Sequence, residues 1–434
     1  MKKGIIAIIA FIIIVMGSLA DVNIHSIIYG DDELKVFNSP FQKVTQRFED
    51  KVLIGSVNWD GSSGATIVTE EEILKFTIGN PAIMANGATN SERSLSQTTT
   101  LDGNDSAKSI ASQSGITPSR SVVKPVNTSN MKVFAYYYYG GFPELKENAH
   151  LFSNVALRWF ETDGDGNLFY EYKDNYGQVL SYLKSRGIKT HASVVLMDKE
   201  ALHQLLTNPQ SRARLIDQLY NQVYSNNYDG VDIDFEFIPP SDSDYYTVFL
   251  RELKQRIGSK ELSAAVLGRT AKDKWPIGYN YQDIGKIVDK LIVMTYDYRY
   301  PTSQPGPVAP LWWVQDNLDY MMYNAHIPAS KLFMGLATYG YDWGSTGGKA
   351  TTVTLDKLNT IKNTYQVSGY FDTASMSPYY RYTGRNGIAH QIWLENEHSL
   401  NEKLKIAVNR NLGGISFWRI GNGFDDLFNL LERN

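Results

Sequence analysis

Cysteine is absent from all 434 residues. Its absence excludes a disulfide framework and a thiolate metal site alike. Histidine is scarce, with seven residues scattered along the chain, and neither a metal site nor a cofactor is expected. Charge of one sign is not in excess: 42 Lys and Arg stand against 46 Asp and Glu, for a formal net charge of −4. Without a basic footprint, nucleic acid and anionic lipid are disfavoured as partners. Long hydrophobic runs are missing apart from residues 5–16, and that run falls short of the ~20 residues that span a bilayer. It follows Lys2 and Lys3 and leads into Ser18-Leu19-Ala20, small at both positions that a signal peptidase reads. Residues 1–20 are therefore expected to be a cleaved export signal, with an uncleaved anchor as the alternative. Either way the site of action is expected outside the cytoplasm, secreted or associated with the cell envelope.

A chain of this length exceeds the size at which a single core stops growing, so one large domain with a smaller companion is expected. Residues 21–87 hold strand-like pieces at 51–54 and 73–78, punctuated by the turn pairs Asp60-Gly61 and Asn86-Gly87. This reads as a small β-rich module. Its stretches Val57-Asn58-Trp59-Asp60 and Leu74-Lys75-Phe76-Thr77-Ile78-Gly79 resemble the N-terminal-like domain named after copper amine oxidases, a resemblance that implies no copper. Residues 88–128 turn to Ser, Thr, Asn and Gln with few large apolar side chains, too little burial to offset the entropy of ordering, and are expected to be a flexible linker.

From residue 129 to 434 short apolar strands alternate with amphipathic helical stretches, the signature of parallel βα units. Strands are expected at 133–138, 154–159, 190–196, 230–236, 262–267, 290–296, 331–337 and 414–418. Helices are expected at 176–185, 211–225, 245–257, 314–323 and 400–409. The fold class is therefore α/β, a (β/α)8 TIM barrel. The long interval between the last two strands implies a small α+β insertion at about 340–397. Within it, runs at 379–383 and 388–394 flank Asn386-Gly387 and read as a hairpin with a type I′ turn. Asp163-Gly164-Asp165-Gly166-Asn167 begins like a calcium loop, but Leu168 stands where that loop needs glycine, so an exposed turn is expected.

The most informative segment is Asp229-Gly230-Val231-Asp232-Ile233-Asp234-Phe235-Glu236-Phe237, in which acid and apolar residues alternate. On a strand, alternate side chains share a face. Val231, Ile233, Phe235 and Phe237 are then expected to pack against helices, and Asp232, Asp234 and Glu236 to point into the barrel. Crowded, desolvated carboxylates push one another's pKa upward, so that one stays protonated near neutrality beside an anion. Glu236, at the C-terminal mouth where barrel enzymes place their chemistry, is the expected general acid, with Asp234 as its anionic partner. A divalent-cation site built on the same oxygens is the alternative reading, and no histidine or second carboxylate cluster supports it.

Asp229 to Glu236 satisfies the DxxDxDxE signature of glycoside hydrolase family 18, the chitinases and their relatives. Met294-Thr295-Tyr296-Asp297 resembles that family's sixth-strand motif, and Gly413 to Trp418 resembles its eighth-strand ending. The resemblance implies a retaining glycosidase acting on β-1,4-linked polymers of N-acetylglucosamine, in which the substrate's own acetamido oxygen is the nucleophile. It implies that Glu236 protonates the leaving oxygen, that Asp234 orients the acetamido group and that Asp232 shares a proton with it. Tyr296 would bond the acetamido carbonyl, Asp297 would hold the same sugar, and Trp418 would floor its ring. Tyr136 and Tyr339 complete the expected substrate contacts. Of the run Tyr136 to Tyr139, two side chains must face in and two out. The third-strand stretch Ala192 to Asp198 departs from the chitinase SxGG motif. The segments at 234–240, 338–343 and 414–421 resemble the bacterial branch that hydrolyses spore-cortex peptidoglycan, a branch that often carries LysM repeats, absent here, and Glu at the position of Asp297. A sugar-binding protein without activity, or a cell-surface scaffold, is the competing class, although neither needs the acid triad. A monomer is expected.

Overall fold

The computed structural model describes residues 26–30, 33–37, 55–59, 64–69, 73–77, 125–170 and 175–432. The expected export signal, most of the expected linker, the piece at 51–54 and both turn pairs lie outside the described residues. The chain forms two compact units, Met1–Ala111 and Ser112–Asn434. In the first, Ser26–Gly30 pairs antiparallel with Glu33–Phe37, and Gly55–Trp59, Gly64–Thr69 and Ile73–Thr77 form an antiparallel meander. No helix among the described residues is long and apolar enough to cross a membrane.

The second unit is a closed barrel of eight parallel strands. They are β1 (Lys132–Tyr137), β2 (Asn154–Thr162), β3 (Lys189–Leu196), β4 (Gly230–Phe235), β5 (Glu261–Leu267), β6 (Lys290–Met294), β7 (Leu332–Ala337) and β8 (Gly414–Ile420). Each pairs in parallel with the next, and β8 closes on β1. Every strand lies where apolar runs predict it, with ends shifted by a few residues. Several of the helices between them start where a side chain accepts from the first free amides. Asn175 caps Tyr176–Ser185, Asp198 caps Lys199–Thr207, and Asn208 caps Pro209–Ser225. Asn396 and Ser399 form a reciprocal box ahead of Glu397–Asn409. The helix expected at 314–323 is α-helical only over Leu311–Asp319 and then widens to a π turn at Tyr320–Asn324.

The insertion is a five-stranded antiparallel sheet in the order Thr351–Val353, Gly340–Gly344, Ala389–Trp393, Ser377–Thr383, Ser368–Asp372, with the helix Leu355–Thr364. Its hairpin is real, but the turn is not type I′. Gly384 N donates to Ile388 O, Gly387 N donates to Gly384 O, and Gly387 at φ 78° is the loop's positive-φ residue. That is a three-residue loop with a glycine bulge, so Asn386 never needs the left-handed region. The calcium-like loop closes on itself: Asp163 Oδ1 accepts from the Asp165 and Asn167 amides, which leaves a partly buried turn.

Alternation along β4 decides which residues face the site. Val231, Ile233 and Phe235 are fully buried in the layer between barrel and helices, and Phe235 stacks on Phe249 of the helix Ser243–Ile257 at 5.5 Å. Phe134, Tyr136, Ala156, Ala265, Ile292, Met294 and Phe333 fill the lumen. Phe237 departs from the expected pattern: it is exposed and sits at φ 60°, because the chain turns off the strand immediately after Glu236. Truncating the ring behind the acid strand, Phe249→Ala, is expected to cost about 3–5 kcal/mol in guanidinium unfolding followed by fluorescence. A loss under about 1 kcal/mol would show that this layer does not hold β4.

Candidate active site

β4 delivers its acids to a column that runs from the lumen to the mouth. Asp232 is fully buried, and its two oxygens accept from Ser193 Oγ of β3 at 2.8 Å and Ser263 Oγ of β5 at 2.6 Å. The Tyr136 hydroxyl of β1 lies 3.4 Å from the same carboxylate. Burial raises the Asp232 pKa, while these three hydroxyls and the charge of His191 oppose the rise. Asp234, one step nearer the mouth, is also buried, and its Oδ1 has no hydrogen-bond partner among the described residues. Burial, then the charges of Glu236 and Asp232, raise its pKa well above the carboxylate range, and only the Arg158 guanidinium of β2 opposes them. A buried acceptor left open costs about 1–3 kcal/mol until a ligand supplies a donor.

Glu236 is the first residue past β4 rather than its last, yet its amide still donates to Leu196 O at 3.0 Å and so continues the ladder. The turn beyond is pinned by the Tyr279 hydroxyl, which donates to Phe235 O at 2.6 Å. Burial and the Asp297 charge push the Glu236 carboxyl up to about 7, against the pull of Arg158. A carboxyl in that range is available near neutrality both as an acid and as a base.

The aromatic residues expected at the site gather around the same column. Tyr136 is tilted against Trp418 at 5.5 Å, and Tyr296 meets Tyr339 edge-on at 6.2 Å. Tyr296 is kept firmly as a phenol by burial and then by Asp234, Glu236 and Asp297. Asp297, at φ 61°, accepts from the Tyr339 hydroxyl at 2.9 Å and the Tyr341 hydroxyl at 2.7 Å. The residue as a whole remains exposed, but desolvation of its carboxyl raises the pKa while the two tyrosines lower it. The tyrosine run resolves as Tyr136 in the lumen and Tyr137 in the outer layer, with Tyr138 and Tyr139 half-buried and joined through their hydroxyls. Sequence reasoning passed over Ser193, Ser263, Arg158 and Tyr341. The two serines and the arginine were legible only as polar residues flanked on either side by apolar ones, and Tyr341 as the second tyrosine of Tyr339-Gly340-Tyr341. No group of three or more metal-ligating side chains occurs among the described residues.

The chain is similar in sequence and in fold to known proteins. The family described as Glycosyl hydrolases family 18 matches residues 39–423. A Bacillus subtilis protein named as a sporulation-specific glycosylase, YdhD, is 33% identical over 231 residues, which is 52% of this chain and 54% of that protein. The cortical fragment-lytic enzyme of Bacillus subtilis is 28% identical over 251 residues, 54% of this chain and 58% of its own length. The chain thus spans little more than half the length of these two curated relatives. Among solved structures, a chitinase from Chromobacterium violaceum superposes with a TM-score of 0.65 at 25% identity, covering 70% of this chain and 98% of that one.

A raised carboxyl pKa is also a cost to folding. Glu236 ionises at about 7 in the folded chain against an ordinary 4.5, so the folded state loses stability as pH rises through that window. Glu236→Gln removes the cost and is expected to stabilise the protein at pH 8 by on the order of 2–3 kcal/mol more than at pH 4 in denaturant titrations. Equal effects at the two pH values would contradict the assignment.

Proposed function

Because this chain belongs to glycosyl hydrolases family 18, we propose that it is a retaining glycosidase that cleaves β-1,4 bonds in N-acetylglucosamine-containing polymers by substrate-assisted catalysis. The observation that carries this reading is Glu236 at the mouth of β4, poised at about 7 beside a buried Asp234 whose Oδ1 is unpartnered. In the first step the substrate's acetamido oxygen attacks the anomeric carbon while Glu236 donates its proton to the leaving oxygen. The cyclic oxazolinium intermediate is positive, and Asp234 stabilises it as an anion. Asp232 takes up the proton it shares with Asp234 as that positive charge develops. In the second step the ionised Glu236 accepts a proton from water, which opens the intermediate with net retention. Tyr296 donates to the acetamido carbonyl, Asp297 holds the same sugar, and Trp418 floors its ring, with Tyr136 and Tyr339 bracing the wall.

Cortex peptidoglycan is the proposed substrate, on the strength of the relatives named for cortical fragments and sporulation; the chitinase neighbour supports chitin as the second reading. Residues 1–20 support a place of action outside the cytoplasm. Glu236→Gln is expected to lower turnover by about 10²–10⁴-fold, followed by mass spectrometry of products from purified cortex and from chitohexaose. Unchanged product release from both polymers would end the catalytic assignment. Cleavage of chitohexaose in preference to cortex would replace the first substrate reading with the second.

The pH profile gives an independent check. Glu236 must carry its proton to act first, so kcat/KM is expected to fall as pH rises through about 7. Asp297→Asn removes a neighbouring negative charge, makes Glu236 more acidic and is expected to move that limb to lower pH by up to about one unit. A limb displaced upward by this variant would contradict the electrostatic account.

A further inference from the structure

On the side of the barrel mouth made by β8, β1 and β2, two guanidiniums meet one aromatic ring. Strand pairing sets the arrangement. Tyr136 stands beside Ala156 in the β1–β2 register, and both side chains fill the lumen. The last paired residues are Tyr137 and Leu157, and the next positions toward the mouth are Tyr138 and Arg158. Their side chains meet, with Arg158 Cζ 5.7 Å from the centre of the Tyr138 ring. Arg419 reaches the same ring from β8, at 4.9 Å, out of the stretch where the β8–β1 register shifts between Phe417 and Ile420. Trp418 packs on Tyr136 and Arg419 on Tyr138, so these two neighbours cover successive levels of one wall.

The backbone at Arg419 is fixed while its charge is left unengaged. The Arg419 amide donates to Oγ1 of the buried Thr338 at 2.8 Å, and the Thr338 amide donates to Trp418 O at 3.0 Å. The half-buried guanidinium makes one long contact, to Ile420 O at 3.4 Å, and no ion pair among the described residues. Arg158 Nη1 donates to Glu161 at 2.9 Å, a carboxylate on an exposed side chain. Each guanidinium carries five N–H donors, so most of the pair's capacity is unspent. A half-buried cation forgoes part of its hydration, and an anion brought by a ligand restores what is lost.

The acids stand on other walls, Glu236 just past β4 and Asp297 just past β6. Arg158 borders the two regions, since its charge is felt at both Asp234 and Glu236. A chain that fits across this mouth is therefore uncharged at the acids and anionic at the β8–β1–β2 wall. Chitin carries no anion. Peptidoglycan does: N-acetylmuramic acid alternates with N-acetylglucosamine, and its lactyl ether ends in a carboxylate that is either free or joined to a peptide with carboxylates of its own.

We infer that Arg419, with Arg158 and the Tyr138 ring, forms a subsite for a carboxylate carried by the substrate next to the sugar that rests on Trp418. The inference deepens the cortex reading and rests on it. The planar fork of Arg419 suits two parallel N–H···O bonds to such a carboxylate, and Arg158 adds charge from the adjoining strand.

The test measures KM and kcat of the full-length protein on chitohexaose and on three forms of one peptidoglycan glycan: lactyl carboxylates free, the same groups converted to methylamides, and peptides still attached. Wild type is expected to show a KM about 10-fold lower for a carboxylate-bearing form than for the methylamide, a gap that narrows as salt is added. A gap for the free-lactyl form assigns the charge to the sugar, and a gap for the peptide-bearing form alone assigns it to the peptide. Arg419→Gln is expected to raise KM on the preferred form about 10-fold more than on chitohexaose, with Arg419→Lys recovering part of the difference. Equal effects of Arg419→Gln on charged and uncharged chains are what a merely structural role would produce, and they would overturn the inference. Equal KM for all three glycan forms in wild type would overturn it without any variant, and would leave the cortex reading standing. Cleavage of chitohexaose with none of the three glycans cut is the separate result that removes the cortex reading, and the inference with it.

Discussion

Three carboxylates spaced two residues apart on one buried strand repel one another and are poorly solvated, and the remainder of the site is arranged around that cost. The barrel fixes their direction by burying Val231, Ile233 and Phe235 on the opposite face of β4. A one-residue slip in register would exchange the two sets, so the helix layer behind the strand holds the acids inward as firmly as it holds its own core. The chemistry and the stability of the fold are therefore set by the same alternation.

The neighbours share out the compensation unevenly. Asp232, deepest, receives hydroxyl donors from three strands, whereas Asp234 receives none at Oδ1 and has Arg158 as its one opposing charge. Glu236, at the mouth, is bounded by Asp297, whose carboxyl is itself held by Tyr339 and Tyr341. The result is a gradient along one strand. The innermost acid is the best satisfied, the middle one is left open, and the outermost one is poised for proton transfer. A ligand that donates at Asp234 and accepts at Glu236 fits that gradient, as an acetamido sugar with a glycosidic oxygen does.

Much of this was legible in the sequence because barrel strands buried on both faces read as apolar runs, and because Asp232, Asp234 and Glu236 interrupt one of them with period two. What stayed hidden depends on backbone geometry or on partners distant in the chain. The positive φ of Phe237 ends the alternation one residue early and leaves an aromatic exposed that periodicity assigns to the core. Arg158 sits where the β2–β3 register slips between Arg158 and Phe160, so no regular pattern points it at the acids. Ser193 and Ser263 are 70 residues apart in numbering but meet on one carboxylate, a pairing that only strand order reveals. The hairpin turn was misread because Asn386-Gly387 suits a two-residue loop, while the register places a three-residue loop there.

Burial and neighbouring negative charge at the barrel mouth lift the ionisation of Glu236 into the neutral range. Its side-chain carboxyl ¹³C resonance, followed in the free protein from pH 4 to pH 9, tests that directly. The account requires a titration centred at about 7. A midpoint at the ordinary 4.5 would contradict it.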